Sequence, residues 1–297
     1  MRYHIRHETV YAYGADVVHS HQLLHLVPRP APYQQCIEHT LHVLPGAHER
    51  RDAADVFGNP MTSIELEHPH RRLEVIADME VQVFNRPVML AGDCAPWERV
   101  RDSLAYFAHA PPSRERLEAA AFRHESAYVH LKRVFIDYAA DCFEAGRSVL
   151  ACADALSAKL HRDFRYAPGE TTITTPLTEV LEQRRGVCQD FAHVMIACLR
   201  SRGLAARYVS GYVRRLLRSE AADAQTAGAS HAWVAVYCPP LGWVELDPTN
   251  DARVAADHVA VAWGRDFGDV SPLRGVILGG GAHRLSVSVT VAPLSAS

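Results

Sequence analysis

From residue 1 to about 90, apolar and polar positions alternate. The runs Tyr3-His4-Ile5-Arg6, Thr9-Val10-Tyr11-Ala12-Tyr13, Ile37 to Val43 and Leu73 to Ala77 carry the period of two that puts one strand face on a core. Turn signals at Pro45-Gly46 and Phe57-Gly58-Asn59-Pro60 separate them, so an all-β module is predicted over residues 1–92. Between about 95 and 145 the composition shifts to Ala, Arg, Glu and Leu, and Val129 to Ile136 take helical spacing, which predicts a helical linking region over 93–145.

Beyond Gly146 the period is helical. Val149, Ala153, Leu156 and Leu160 make one stripe, and a second helix opens at Thr175-Pro176, with Pro at its first position. Between them runs the loop Phe164 to Gly169. A third helix starts near Cys188, since Phe191, Val194, Met195, Cys198 and Leu199 share a face and Gly203 stands where a C′ glycine belongs. Strands are predicted over 206–213, 231–237 and 242–246, with a strand-like tail at 285–291. Residues 146–297 are assigned to one α+β core with C-terminal strands, and 217–230 to a flexible surface loop leading into His231.

Composition narrows the function. With 297 residues, 48% hydrophobic and 22% charged, the chain has ample length for a core and none of the marks of disorder. A net charge of −3 argues against nucleic acid as a partner. The N-terminus has no continuous apolar stretch of the kind a signal peptide or membrane span needs, so no membrane association and a cytoplasmic location are expected. Seven scattered cysteines without a Cys-x-x-Cys pair argue against a disulfide framework and a structural zinc site. His19-x-His21 and His68-x-His70 put imidazole pairs on strand faces, yet the sequence shows no carboxylate or thiolate set beside them. Neither a metal nor a cofactor is expected.

The chemistry concentrates in the core. A cysteine at a helix N-terminus has its thiolate stabilised by the dipole and by unpaired N–H groups, and this is the setting of Cys188. Gly186 permits close backbone approach there, and Arg184 and Arg185 add positive charge. Taken alone, Cys188 is also compatible with a buried, inert thiol, as Cys198 is on the apolar stripe. The hairpin from Ser230 to Asp247 supplies the rest: with a turn about Pro239, His231 and Asp247 fall opposite each other on one sheet face. A carboxylate there holds the imidazole that takes the proton from Cys188.

At these residues the chain resembles the bacterial transglutaminase-like cysteine proteases, which carry an N-terminal β region before a transglutaminase core. The resemblance rests on Thr174-Thr175-Pro176-Leu177, Arg185 to His193, Arg207 to Tyr212, Ser230 to Val234, Leu246-Asp247-Pro248-Thr249-Asn250 and Ala262 to Pro272. It implies a papain-like α+β core, a nucleophile helix packed on an antiparallel sheet, preceded by the all-β domain. It also implies acyl transfer on peptide or amide bonds through a thioester, by hydrolysis or by transfer to an amine, with a peptide or protein as substrate. By analogy with that family, Tyr166 is the candidate second oxyanion donor beside the Cys188 N–H, or else a packing tyrosine. Asp190 is read as a helix cap and His193 as a structural hydrogen-bonding group. Trp233, Trp243 and Trp263 either line the cleft or pack the core and its rim. A binding module that keeps the fold without catalysis is the competing reading.

Overall fold

A computed structural model describes residues 1–105, 113–214 and 230–294. The expected loop at 217–230 therefore lies, except for Ser230, outside the described residues.

The alternating N-terminal runs form β1 (Arg2–Leu24), β2 (Gln34–Leu44), β3 (Glu49–Ala54), β4 (Pro60–Leu66) and β5 (His70–Val83). They pair antiparallel in the order β2-β5-β1-β4-β3. In β5 every second residue from Leu73 to Val83 is buried, the burial pattern of a sheet with one covered face. The helical region supplies α1 (Trp97–Ser103), α2 (Arg114–Ala120) and α3 (Arg133–Tyr138). α3 begins later than the spacing from Val129 suggests, because Val129 bridges back to Ser126 and the Glu125 carboxylate takes the Leu131 N–H, turning the chain before the helix.

Next come α4 (Val149–Asp163), β6 (Arg165–Tyr166), α5 (Leu177–Gln183), β7 (Arg185–Gly186) and α6 (Cys188–Ser201). Pro176 is the N-cap of α5 rather than its first residue, with extended backbone at ψ 136°. α6 is buried almost throughout and ends at Gly203, whose φ of +78° is the left-handed conformation of a C′ glycine. The second sheet contains β8 (Ala206–Val213), β9 (His231–Tyr237), β10 (Trp243–Asp247), β11 (Ala252–Arg253) and β12 (His258–Gly264), antiparallel in the order β11-β10-β9-β8-β12. α6 lies against β8 and β9, and Ala232, Val234, Val236 and Tyr208 join its core.

After the short α7 (Phe267–Val270), the chain does not stay with the core. β13 (Leu273–Gly279) and β14 (His283–Leu294) pair with β1, Leu24 opposite Leu273 and Ile5 opposite Val291. The C-terminal strands assigned above to the core thus complete the N-terminal sheet. β1 is 23 residues long, with register irregularities between Ala12 and His19, so it offers pairing edges that the other N-terminal strands leave unfilled.

Two buried histidines give the fold a pH dependence. His7 bonds the Tyr212 hydroxyl and Thr9 at 3.0 Å each, tying the two sheets together, and burial lowers its pKa to about 4. His193 on α6 accepts the Phe267 N–H at 3.1 Å; burial, with Arg200 adding to it against Asp266, also lowers it to about 4. The unfolded chain binds these protons near pH 6.5 and the folded chain near 4, so their contribution is complete above about 6.5 and is lost as pH falls toward 4. The linkage is worth on the order of 3 kcal/mol for each. Urea unfolding from pH 7 to 4.5 should show a steep loss of stability, and His193→Gln should flatten it. A pH-independent midpoint would contradict this.

Candidate active site

Cys188 is the first residue of α6, after Val187 in extended conformation (φ −109°, ψ 177°). A valine cannot cap a helix with its side chain, so the work falls to Asp190: its Oδ2 accepts the Val187 N–H at 2.8 Å and the Thr171 hydroxyl at 2.6 Å. Burial raises the Asp190 pKa, against the pull of these two bonds. Gly186 is required by this cap, since a Cβ there would meet the Asp190 carboxylate and lie 2.7 Å from its Cβ. Gly186→Ala should cost ~1–3 kcal/mol and displace the start of α6. Denaturation midpoints and the rate at which a small electrophile labels Cys188 would read both effects; a neutral substitution would show that the cap gives way freely.

All seven cysteines are unpaired. Cys188 is partly exposed, whereas Cys198 is fully buried on the same helix and burial pushes its thiol well up. Arg184 and Arg185 do not lend the thiol free charge as the sequence suggests. Arg184 pairs with Asp163 at 3.1 Å and Arg185 with Glu170 at 2.7 Å, so the positive field at Cys188 comes from the helix end.

His231 begins β9 and Asp247 ends β10. The hairpin register pairs Trp243 with Tyr237 and Leu246 with Val234, which centres the turn one residue later than Pro239. Continued by one pair, it places Asp247 opposite Trp233, so His231 and Asp247 are diagonal neighbours rather than directly opposite. A slip of two residues keeps both side chains on one face. His231 Nε2 lies 2.7 Å from Asp247 Oδ2, and the nearby Cys188 thiol acts with that carboxylate to raise the His231 pKa. With Nε2 taken by the carboxylate, Nδ1 is the nitrogen left for sulfur.

The carboxylate is saturated. Besides His231, Oδ2 accepts the Asn250 amide at 2.6 Å and faces His258 Nε2 at 3.2 Å, while Oδ1 accepts the Thr249 and Asn250 N–H groups at 3.0 and 3.3 Å. Asp247 is fully buried. Burial alone would favour its neutral form, but hydrogen bonds from His231 and His258 hold it well below the usual carboxylate range. Burial likewise opposes charge on His231, yet the interactions with Asp247 and Cys188 prevail and carry it up to about 10. These partners favour the imidazolium form of His231.

Asn250 and His258 are the residues that sequence reasoning missed. Asn250 stands in a stretch quoted for the resemblance, so its place was marked without its role. His258 arrives on β12, the strand beyond β8, and no local spacing relates it to Asp247. Tyr166, on β6, pairs with Gly186 of β7 two residues before Cys188, and is partly exposed. Trp233 is fully buried and donates to Glu245 at 2.7 Å, while Trp243 and Trp263 sandwich the buried Arg207 guanidinium, at 3.6 and 4.3 Å. Trp233 also packs against the His231 and His258 rings, and Trp243 and Trp263 are partly buried beside the sheet core.

Among the described residues, two groups of side chains have donor atoms close enough to share a metal, His231 with Asp247 and His258, and His19 with Glu65 and Glu67. The second corrects the sequence reading that no carboxylates flank His19: β4 pairs with β1 and brings Glu65 Oε1 to 3.3 Å from it. Beside α6 a cavity of about 320 Å³ opens between residues 127–135 and 173–178, lined by Tyr128, Lys132, Phe135, Ile173, Thr175 and Leu177 among others. Tyr128 stacks on His193, which ties this cavity to α6.

Residues 3–82 match the bacterial transglutaminase-like N-terminal region, and residues 136–248 the transglutaminase-like superfamily. An uncharacterized protein of Mycobacterium tuberculosis is 36% identical over 300 residues, spanning 98% of this chain and 93% of that one. The chain belongs to the transglutaminase-like superfamily. Within it, a protein-glutamine gamma-glutamyltransferase of Pseudomonas aeruginosa is 30% identical over 128 residues, 38% of this chain and 18% of that protein. The transglutaminase-like fold recurs in a crystal structure described as a "putative cysteine protease" from Cytophaga hutchinsonii, with a TM-score of 0.73 at 18% identity, over 100% of this chain and 92% of that one.

Proposed function

We propose that this chain is a cysteine-dependent acyl-transfer enzyme that hydrolyses peptide or amide bonds in a peptide or protein substrate. The observation that carries the reading is His231, bonded to Asp247 at 2.7 Å and under the electrostatic influence of the partly exposed thiol at the start of α6. The Cys188 thiolate adds to the carbonyl carbon and the π electrons move to oxygen. The oxyanion is met by the Cys188 N–H, one of the helix's first four without an intrahelical acceptor, and by Tyr166 as second donor, which its pairing beside Gly186 supports. His231 gives its proton to the amine nitrogen, the C–N bond breaks and a thioester remains. Water, deprotonated by His231, attacks the thioester, the C–S bond breaks and acid and thiolate are released. No step calls on a metal or cofactor.

A partly exposed thiol supports catalysis over binding alone. Water as acceptor is favoured because it is always present; transfer to an amine is supported by the glutamyltransferase activity for which the Pseudomonas relative is named. No helix among the described residues is long and apolar enough to cross a membrane. A reducing, cytoplasmic setting agrees with seven unpaired thiols. The test is incubation with a peptide-like, thiol-directed electrophile and mapping of the adduct by mass. Labelling at Cys188 is expected, and modification of another cysteine while Cys188 stays free would end this reading. Product analysis with and without added amine then decides the acceptor.

A further inference from the structure

We infer that His258 is a positioning residue, a buried cation wedged between Asp247 and Asp257 that limits how tightly the Asp247 carboxylate holds the proton on His231. It rests on the catalytic reading above and concerns a residue that reading does not use.

Both ring nitrogens of His258 face carboxylate oxygens, Nε2 at 3.2 Å from Asp247 Oδ2 and Nδ1 at 2.7 Å from Asp257 Oδ1. A neutral imidazole has one N–H and one lone pair, so either tautomer would set a lone pair against an anionic oxygen. Only the imidazolium satisfies both contacts. The side chain is 3% exposed, so water does not substitute for either partner, and Trp233 closes the site with its ring edge-on at 5.3 Å. Asp257 is 42% exposed and anchors the outer nitrogen. The hydrogen bonds to the two carboxylates outweigh the burial that opposes charge and raise the His258 pKa.

The charged groups facing His258 are Asp257 beside it, Asp247 from β10 and His231 from β9, whose ring centroid is 6.3 Å away. At that separation, with an effective dielectric of about 20, one unit charge changes the proton affinity of another by more than tenfold. His258 therefore acts on His231 twice, by direct repulsion and by sharing Asp247 Oδ2. Both effects make the His231 imidazolium a better acid. That matters for an amide, whose leaving nitrogen must be protonated, and little for an activated ester, whose leaving group departs as an anion.

The test uses His258→Gln, which keeps a donor of similar reach and removes the charge. In the uncomplexed protein the His231 ring, followed by NMR, should titrate about one pH unit higher, and the ratio of amide to activated-ester acylation rates should fall about tenfold. Asp257→Asn, at a partly exposed position, should move both readings the same way and serves if the first variant does not fold. An unchanged His231 titration, or equal losses on amide and ester, would show a purely structural histidine and overturn the inference. If the titration shifts but the wild type forms no acyl adduct at Cys188, the inference on His231 stands and the catalytic reading fails.

Discussion

Cys188→Ala should abolish the acyl-enzyme. Cys188 forms the covalent bond in the proposed mechanism, so the loss in single-turnover acylation should be at least ~10³-fold, down to background. The fold should survive. The thiol is partly exposed at the first position of α6, and the Asp190 cap does not depend on it, so the change should cost under ~1 kcal/mol. His231 would also lose one of the two partners that raise its pKa and should titrate lower in the variant. Rapid-quench acylation with mass detection, beside circular dichroism, makes the measurement. Acylation retained in Cys188→Ala would remove Cys188 from the mechanism.

Asp247→Asn should leave a folded protein with acylation slowed by about 10²–10³, less than the ~10⁴ of the equivalent change in serine enzymes because a thiolate depends less on its base. Three donors, from His231, His258 and Asn250, converge on Oδ2, and two backbone N–H groups on Oδ1. An amide has one oxygen for these two sets, so its NH₂ must face donors on one side or the other. With NH₂ toward the histidines, His231 can keep that contact only as the tautomer with its proton on Nδ1, and it loses the charge that supports the imidazolium. Leaving a buried donor unsatisfied adds ~1–3 kcal/mol of lost stability, readable as a lower denaturation midpoint. Acylation of Asp247→Asn at the wild-type rate would show that Asp247 does not orient His231.

The sequence by itself determined what local periodicity and chain chemistry dictate. Alternation made β1 and β5 recognisable, because a strand with one buried face repeats every two residues whatever covers it. The stripe from Phe191 to Leu199 and the glycine at 203 bounded α6, which put Cys188 at a helix start. The shared face of His231 and Asp247 was legible too, since misplacing the turn by one residue slips the register by two and does not change a strand's side. The tertiary structure decided what depends on pairing between distant segments. Whether β13 and β14 belonged to the core or to the first sheet turned on which edge of β1 was free, and the strands themselves read the same in either place. The charge of Arg184 and Arg185 was visible, but its neutralisation by Asp163 and Glu170 was not. His258 shows the limit most plainly: it reaches Asp247 only because β12 pairs with β8 and closes the sheet around the carboxylate, and a contact made by sheet order leaves no spacing in the chain from which to read it.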